Sequence, residues 1–514
     1  GRRVSAPPMV STADGHFTAV RALAAALGCL AAVLHGVFSV VPLPVQYNQL
    51  ACVWLGLSLA AAAALARAPS GAPRAAYLAF AAGATLLMGI LYAVDGNAPL
   101  TVWCFVHAAL ASAMAWLGRR AHAFPRAPAA EASEDGVPAK IEAPPVPHRR
   151  CAVCCLRTSL VLHVLLLLLL LLGASVAFAA AVGFPPRGPL TRVTLPGGEA
   201  LRLHYRCVDG AEGVPSRSPT LWITSSPGHG VADLSGLQES LAGRGFRACA
   251  YDPPGFGWSD RDRGSGLDQA DVAAALLAEV QGPDPLAFVA WGGGASTAVR
   301  LANRLGAGAV RAVVLITAFP EGIEFDEAQR AQGLTEAERR ALEVAAYRSR
   351  AGLAQGILAV LLPWGLAPAV FPPGPPPPGF RPQSRFPDAR AQLWKGKFWA
   401  QQYWGIRRQA ALAAAGGATD PDLTAPVPVG HLLCKPTGDG PCQRPDGSIV
   451  PPDECAQRKD RAAYLYQRQV AFTRALDAKA VFEEDTDPAC NLGLPVDMPV
   501  VAARGVARLL TRVG

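Results

Sequence analysis

FVAWGGGASTAVRLANRLGAGAVRAVVLITAFP, residues Phe288 to Pro320, decides how the rest of the chain is read. It parses as a buried strand (Leu286–Ala290), a turn of tiny residues, an amphipathic helix (Ala295–Leu305) and a second buried strand (Val310–Thr317). A strand that enters a helix through such a turn can hold a nucleophile at its apex, provided that the residues two positions to either side are small. Ala290 and Gly294 are those flanks, and the apex between them is Gly292. Glycine offers no oxygen or sulfur, so the turn has the right build and nothing to attack with.

Composition separates this stretch from what precedes it. The 514 residues are 51% hydrophobic with a mean hydropathy of +0.23, and the excess lies before residue 185. That distribution points to membrane spans rather than to a large core. The net charge of +8 is mostly arginine beside those apolar stretches, where basic residues set orientation. No RNA or DNA motif accompanies it, so nucleic acid is not an expected partner. The first residue is Gly1, and no signal peptide with a cleavage site is evident, which suggests a processed or incomplete N-terminus.

Five stretches are long enough to span: Ala22–Val41, Leu50–Ala66, Ala75–Val94, Ala98–Gly118 and Thr158–Phe184. Arg2, Arg3, Arg21, Arg67, Arg74, Arg119, Arg120, Arg149, Arg150 and Arg157 all fall on one side of a five-span arrangement, and the alternate loops carry no Lys or Arg. This predicts a cytosolic tail (1–21), a four-span region (22–118), a cytosolic Pro/Ala/Glu-rich disordered linker (119–157), a fifth span (158–184) and a lumenal or extracellular remainder (185–514). The spans contain no Asp, Glu, Lys or Arg, which favours a plain anchor in contact with lipid over a conducting bundle. His35, His107 and His163 read as packing residues. Cys151, Cys154 and Cys155, beside arginines at the start of the fifth span, suit S-palmitoylation and equally suit unmodified thiols.

Beyond Arg187 the pattern turns to short strands and helices. TRVTL and LRLHYRCV form an expected hairpin, TLWITS a third strand, Asp233–Arg244 a helix, FRACAYD a fourth strand and Leu267–Gln281 a helix. Strand–helix alternation after a hairpin gives a mostly parallel sheet covered on both faces, an α/β class.

SSPGHGVADLSGLQESLAGRGFRACAYDPPGFGWSD, followed by LAFVAWGGGASTAVRLANRLGAGAVRAVVLITAFP, resembles the α/β-hydrolase-fold family over about Leu190–Pro320. DMPVVAARG (Asp497–Gly505) resembles the later strand that carries the acid. The resemblance implies a nucleophile at the elbow, an acid after a later strand, a His near the end and an oxyanion hole of two backbone N–H groups. Transferred position by position, the nucleophile falls on Gly292 and the acid on Arg508, while the final strand and its histidine loop are expected to be missing. The oxyanion donors are expected to survive, with Gly293 and the loop bearing Gly228 and Gly230 as the oxyanion or ligand-binding residues. Ser226 with His229 is a conceivable substitute pair. Ser225 lies in the same loop, and Ser296 should point away from the mouth. Glu321 and Glu324 follow the strand after the elbow.

Residues 319–495 read as a helical lid insertion, with a proline-rich crossing and aromatic helices. Cys434, Cys442, Cys455 and Cys490 are disulfide candidates on the lumenal side, with pairing left open, and Cys207 and Cys249 read as small buried hydrophobes. The reading is a membrane-anchored pseudoenzyme that binds a small apolar or carboxylate ligand or a protein partner, with no cofactor and no metal. The alternatives are an ester or lipid hydrolase with an unconventional or incomplete triad, and a transporter or assembly factor with a hydrolase-like appendage.

Overall fold

The computed structural model describes residues 81–88, 90, 104–113, 116, 165, 168–176, 178–180, 182–226, 228–260, 268–282, 284–318, 334–357, 361–362, 365–372, 383–414, 422–435, 452–485 and 494–513. The chain divides into two units, Gly1–Gly183 with Leu358–Val370 and Phe184–Ile357 with Phe371–Gly514. In the first unit the expected spans Ala22–Val41 and Leu50–Ala66 lie outside the described residues, as do Cys151, Cys154, Cys155, His35 and His163. The described parts of the other three spans are helical, but among the described residues no helix is long and apolar enough to cross a membrane. The expectation of five membrane helices therefore gains no support here.

The second unit is built on one eight-stranded sheet in the order β1-β2-β4-β3-β5-β6-β7-β8. Its strands are β1 (Leu190–Thr194), β2 (Ala200–Val208), β3 (Arg217–Thr224), β4 (Phe246–Tyr251), β5 (Leu286–Trp291), β6 (Val310–Ile316), β7 (Val429–Cys434) and β8 (Val481–Asp485). The β1–β2 and β2–β4 pairs are antiparallel and the remainder are parallel. Strand β5 sits between β3 and β6 and is buried along its whole length.

Helices α1 (Val231–Ala242), α2 (Gln269–Val280) and α3 (Gly294–Leu305) follow β3, β4 and β5 in turn. Successive β5 residues alternate between two cores, as a strand's period of two requires. Phe288 and Ala290 pack with α2 and α3, whereas Val289 and Trp291 face α1 and the C-terminal helix α8 (Pro499–Val513). Asp268 caps α2 by accepting from the Ala270 N–H (2.9 Å). Longer helices among the described residues also belong to the unit. They are α4 (Glu336–Gly356), α5 (Phe386–Gln392), α6 (Gly396–Ala414) and α7 (Pro452–Leu476). Thr335 and Glu338 form a reciprocal capping box at the start of α4, and Tyr347 of α4 packs on Ala410 of α6.

Three expectations for the second half are corrected. DMPVVAARG is helical rather than a strand: Leu494–Asp497 forms one turn and Pro499 opens α8. Short apolar runs do not distinguish strand from buried helix by periodicity alone, and this one has its apolar residues at helical spacing. The strand expected to be missing is present as β8. The span from 319 to 495 is accordingly not all lid, because β7, α7 and β8 within it complete the sheet.

Cys207 and Cys249 are not small packing residues but a disulfide. They stand directly opposite each other across the antiparallel β2–β4 pair, which brings their side chains to one face. Cys434 and Cys455 are each disulfide-bonded, and Cys442 and Cys490 lie outside the described residues.

The elbow packs tightly. A Cβ built on Gly294 would lie 2.7 Å from the Ser225 nitrogen and from the Thr224 carbonyl atoms, which are backbone and cannot swing aside. The Thr224 hydroxyl also donates to the Gly294 carbonyl (3.0 Å). We expect Gly294→Ala to destabilise this unit by about 1–3 kcal/mol, read as a lower urea midpoint of tryptophan fluorescence. Gly308→Ala, whose Cβ meets open space, should stay within about 0.5 kcal/mol of the parent. Equal midpoints for the two variants would refute this account of the elbow.

Candidate functional site

Gly292 has φ of +54°, the left-handed backbone of a strand-to-helix apex, and its N–H donates to the Ile316 carbonyl (3.2 Å). The apex has the conformation that a nucleophile would occupy and carries no side chain. Below it, the Gly293 N–H donates to Ser226 Oγ at 2.8 Å. Ser226 Oγ also lies 3.5 Å from the Trp291 carbonyl. The expected oxyanion donor is therefore already spent on a protein hydroxyl.

The loop opposite is equally self-contained. The His229 N–H donates to the Ser226 carbonyl (3.2 Å), and Ser225 Oγ donates to the His229 carbonyl (3.0 Å). The Gly230 N–H donates to Asp233 Oδ2 (3.1 Å) and the Val231 N–H to Asp252 Oδ1 (2.7 Å). The expectation that the oxyanion N–H groups remain open at Gly230 and Gly293 is thus corrected. At Gly228 the α6 side chain of Gln402 occupies the space that a Cβ would need.

The Ser226 hydroxyl and the His229 ring are not hydrogen-bonded to each other. The His229 ring tilts against Trp291, 4.5 Å between centroids, and its Nδ1 lies 3.6 Å from Asp233 Oδ2. Ser296 is buried on α3, and its hydroxyl has no partner among the described residues. Glu321 and Glu324 lie outside the described residues. Arg508 sits on α8, where it pairs with Glu483 of β8 (3.0 Å), joined by Arg512 (2.7 Å). It therefore ties the last helix to the last strand, and reading it as the acid position is corrected. The segment joining β8 to α8 contains no histidine.

Sequence reasoning missed two buried histidines. His204 on β2 donates from Nδ1 to Asp252 Oδ2 (2.7 Å), with both side chains essentially inaccessible. Asp252 Oδ2 also accepts from the Trp258 N–H (2.9 Å), and Ser259 Oγ bridges the pair by donating to the Asp252 carbonyl and accepting from the His204 N–H. Burial alone would push the Asp252 carboxyl up. Its hydrogen bonds from His204, Trp258 and Val231 hold it below the ordinary 3.8 instead.

His431 on β7 donates from Nδ1 to Thr473 Oγ1 (2.5 Å) and accepts at Nε2 from the Ala318 N–H (3.1 Å). That arrangement requires a neutral ring, and burial pushes its pKa down to about 3. It fixes the chain just past Thr317, which has a φ of +41° at the end of β6. Alternation does not reveal either one, because Leu203 and His204 are buried in succession and β7 is buried from Val429 to Leu433, and their partners come from residues tens of positions away.

The lid closes over the loops through α5 and α6. Lys395 Nζ reaches the Gly257 carbonyl (3.5 Å) and Lys397 Nζ donates to the Ser259 carbonyl (2.8 Å). Between these helices and the two loops lies a cavity of about 280 Å³. It borders Gly228, His229 and Gly230 but not Gly292.

The two buried groups titrate in separate windows. Both have folded-state values below the unfolded ones, so their stabilisation is present above the unfolded pKa and lost as pH falls through the folded one. For His431 the loss runs from about 6.5 down to about 3, and for Asp252 it begins only below about 4. His431→Gln should flatten the decline in stability between pH 6.5 and 4. Asp252→Asn should cost about 3 kcal/mol or more at pH 7, a gap that narrows only below about pH 4. Chemical denaturation across this range checks both, and a His431→Gln profile parallel to the parent's would refute the first.

Residues 227–413 match the family model described as alpha/beta hydrolase fold. No curated protein sequence matches the chain significantly. Among solved structures it is similar to a probable hydrolytic enzyme from Pseudomonas aeruginosa, at 18% identity and a TM-score of 0.40, over 63% of this chain and 95% of that one. It is also similar to a thermophilic esterase from Thermogutta terrifontis, at 14% identity and a TM-score of 0.39, over 63% and 99%. A haloalkane dehalogenase variant from Bradyrhizobium elkanii matches at 15% identity and a TM-score of 0.36, over 63% and 97%. The strand order, the left-handed apex between β5 and α3, and the family match agree that the sheet-bearing unit has the α/β-hydrolase fold.

Proposed function

We propose that this α/β-hydrolase-fold unit binds a small apolar or carboxylate ligand without cleaving it, and that the chain is anchored in a membrane. The observation that carries the first part is the Gly293 N–H bonded to Ser226 Oγ beneath an apex, Gly292, that has no side chain. Acyl transfer needs a nucleophile and free donors aimed at the developing oxyanion. Here the first is absent and the second are satisfied internally.

Anchoring is supported by the apolar side chains that the first unit leaves uncovered. Leu86, Leu87, Ile90, Leu165, Leu168 and Leu172 are each about half exposed, an arrangement that calls for lipid or protein cover. The one-sided arginines favour a cytosolic N-terminus, which puts residues after Phe184 on the lumenal or extracellular side. The Cys207–Cys249 disulfide supports the same side, because such bonds persist in oxidising compartments.

A fluorophosphonate probe, which labels activated serines, should leave the full chain unmodified. Gly292→Ser alone should gain no esterase turnover, because the Gly293 donor stays blocked and the segment joining β8 to α8 contains no histidine. Labelling that vanishes in Ser226→Ala would overturn the non-catalytic reading and make Ser226 the nucleophile.

In sealed vesicles with the cytosolic face outward, added protease should trim the linker 119–157 and spare everything after Phe184. Digestion of the sheet-bearing unit in intact vesicles would reverse the orientation.

A further inference from the structure

Among the described residues, one charge on the wall of the cavity beside the oxyanion loop has no carboxylate partner. Its wall is chiefly apolar, with Phe256 and Phe398 in edge-to-face contact at 5.5 Å and Phe386, Leu393 and Val496 around them. The two carboxylates on the wall are turned to protein donors. Asp252 takes His204, Val231 and Trp258, and Asp233 takes the Gly230 N–H and lies near His229. Arg390 of α5 is different. Its guanidinium lies over the Phe386 ring at 5.1 Å, and its Nε is buried with no acceptor.

Among the described residues no carboxylate pairs with Arg390. Asp388, two positions earlier, is engaged by Arg187 (3.1 Å) and Arg385 (3.6 Å). A part-buried guanidinium facing an apolar wall without an anion is costly, and a carboxylate is its planar complement. At about 280 Å³ the cavity falls just under the about 300–1,000 Å³ of drug-sized sites, which limits an occupant to roughly a dozen non-hydrogen atoms.

We propose that this cavity binds a small monocarboxylate with an apolar tail, its carboxylate paired with Arg390 and its tail against Phe256, Leu393 and Phe398. The inference rests on the non-catalytic reading of the same unit and makes the ligand an intact acid rather than an ester to be cleaved. The oxyanion donors take no part, since Ser226 and Asp233 already hold them.

The test is calorimetric titration of the full chain in lipid nanodiscs, with empty nanodiscs as blanks. The probes are 4-phenylbutyrate, 4-phenylbutan-1-ol and 4-phenylbutylammonium, which share a tail and differ in head-group charge. The acid should bind at least about tenfold more tightly than the alcohol or the amine, since a charge-assisted pair is at stake. Arg390→Gln should lose that advantage, Arg390→Lys should keep part of it, and Leu393→Trp should abolish binding by filling the space. The two latter variants keep the test decisive should Arg390→Gln fail to fold. No binding of 4-phenylbutyrate, equal affinity for acid and amine, or a folded Arg390→Gln with unchanged affinity would each overturn the proposal. Fluorophosphonate labelling would sink the non-catalytic reading whether or not the acid binds, so the two failures are distinguishable.

Discussion

The Asp252 carboxylate is the point on which the functional end of the sheet depends. It sits at the end of β4, removed from water, and three donors converge on it from separate parts of the chain. His204 comes from β2, the Val231 N–H opens α1, and the Trp258 N–H belongs to the loop after β4. A buried carboxylate is tolerable only when its acceptor capacity is used, and here it is used to join the oxyanion loop to the neighbouring turn. Lys395 and Lys397 then fasten lid helices to that turn through the carbonyls of Gly257 and Ser259. Removing the one carboxylate would release the hinge points of two loops and the seat of the lid.

The same arrangement separates shape from chemistry. The strand, left-handed apex and helix that would present a nucleophile are all in place, held by contacts of Gly294 with Thr224 and Ser225. Yet in serine hydrolases most of the acceleration disappears with the nucleophile, and what survives comes from the oxyanion donors and binding. In this chain the Gly293 N–H is bonded to Ser226 Oγ. Beside the elbow lies a lidded space that Arg390 borders and Gly292 does not.

Much of the sheet could be read from sequence because its signals are local. A β5–turn–α3–β6 run, a Gly-Gly hairpin turn and the loops ending in HG and GFG each fit within a few tens of residues. Pairings across the sheet were harder. Cys207 and Cys249 meet only because β2 and β4 are antiparallel neighbours in that register, and neither strand reveals the register by itself. The helix at Pro499–Val513 was misread because its first residues form a short apolar run, and the strand expected there lies earlier, at β7 and β8. Arg508 then appeared to be a lost acid, when its place is an ion pair with Glu483. The buried partners of His204 and His431 escaped for the same reason as the disulfide.

The glycines around Asp252 explain why motifs associated with catalysis can stand in a chain whose apex residue is Gly292. A Cβ at Gly230 or at Gly257 would run into the Asp252 carboxylate itself. At Gly228 and Gly255 it would meet Gln402 and Gln401 of α6. These positions are small because a buried carboxylate and a docked helix occupy the adjoining volume, whatever happens at the elbow. The HG and GFG signatures therefore report the packing of Asp252 and the lid, while the chemistry is reported only by the apex residue and by what the Gly293 N–H is bonded to. A sequence motif built around glycine specifies the space beside it. In this chain the groups that fill that space are Asp252, Gln401 and Gln402.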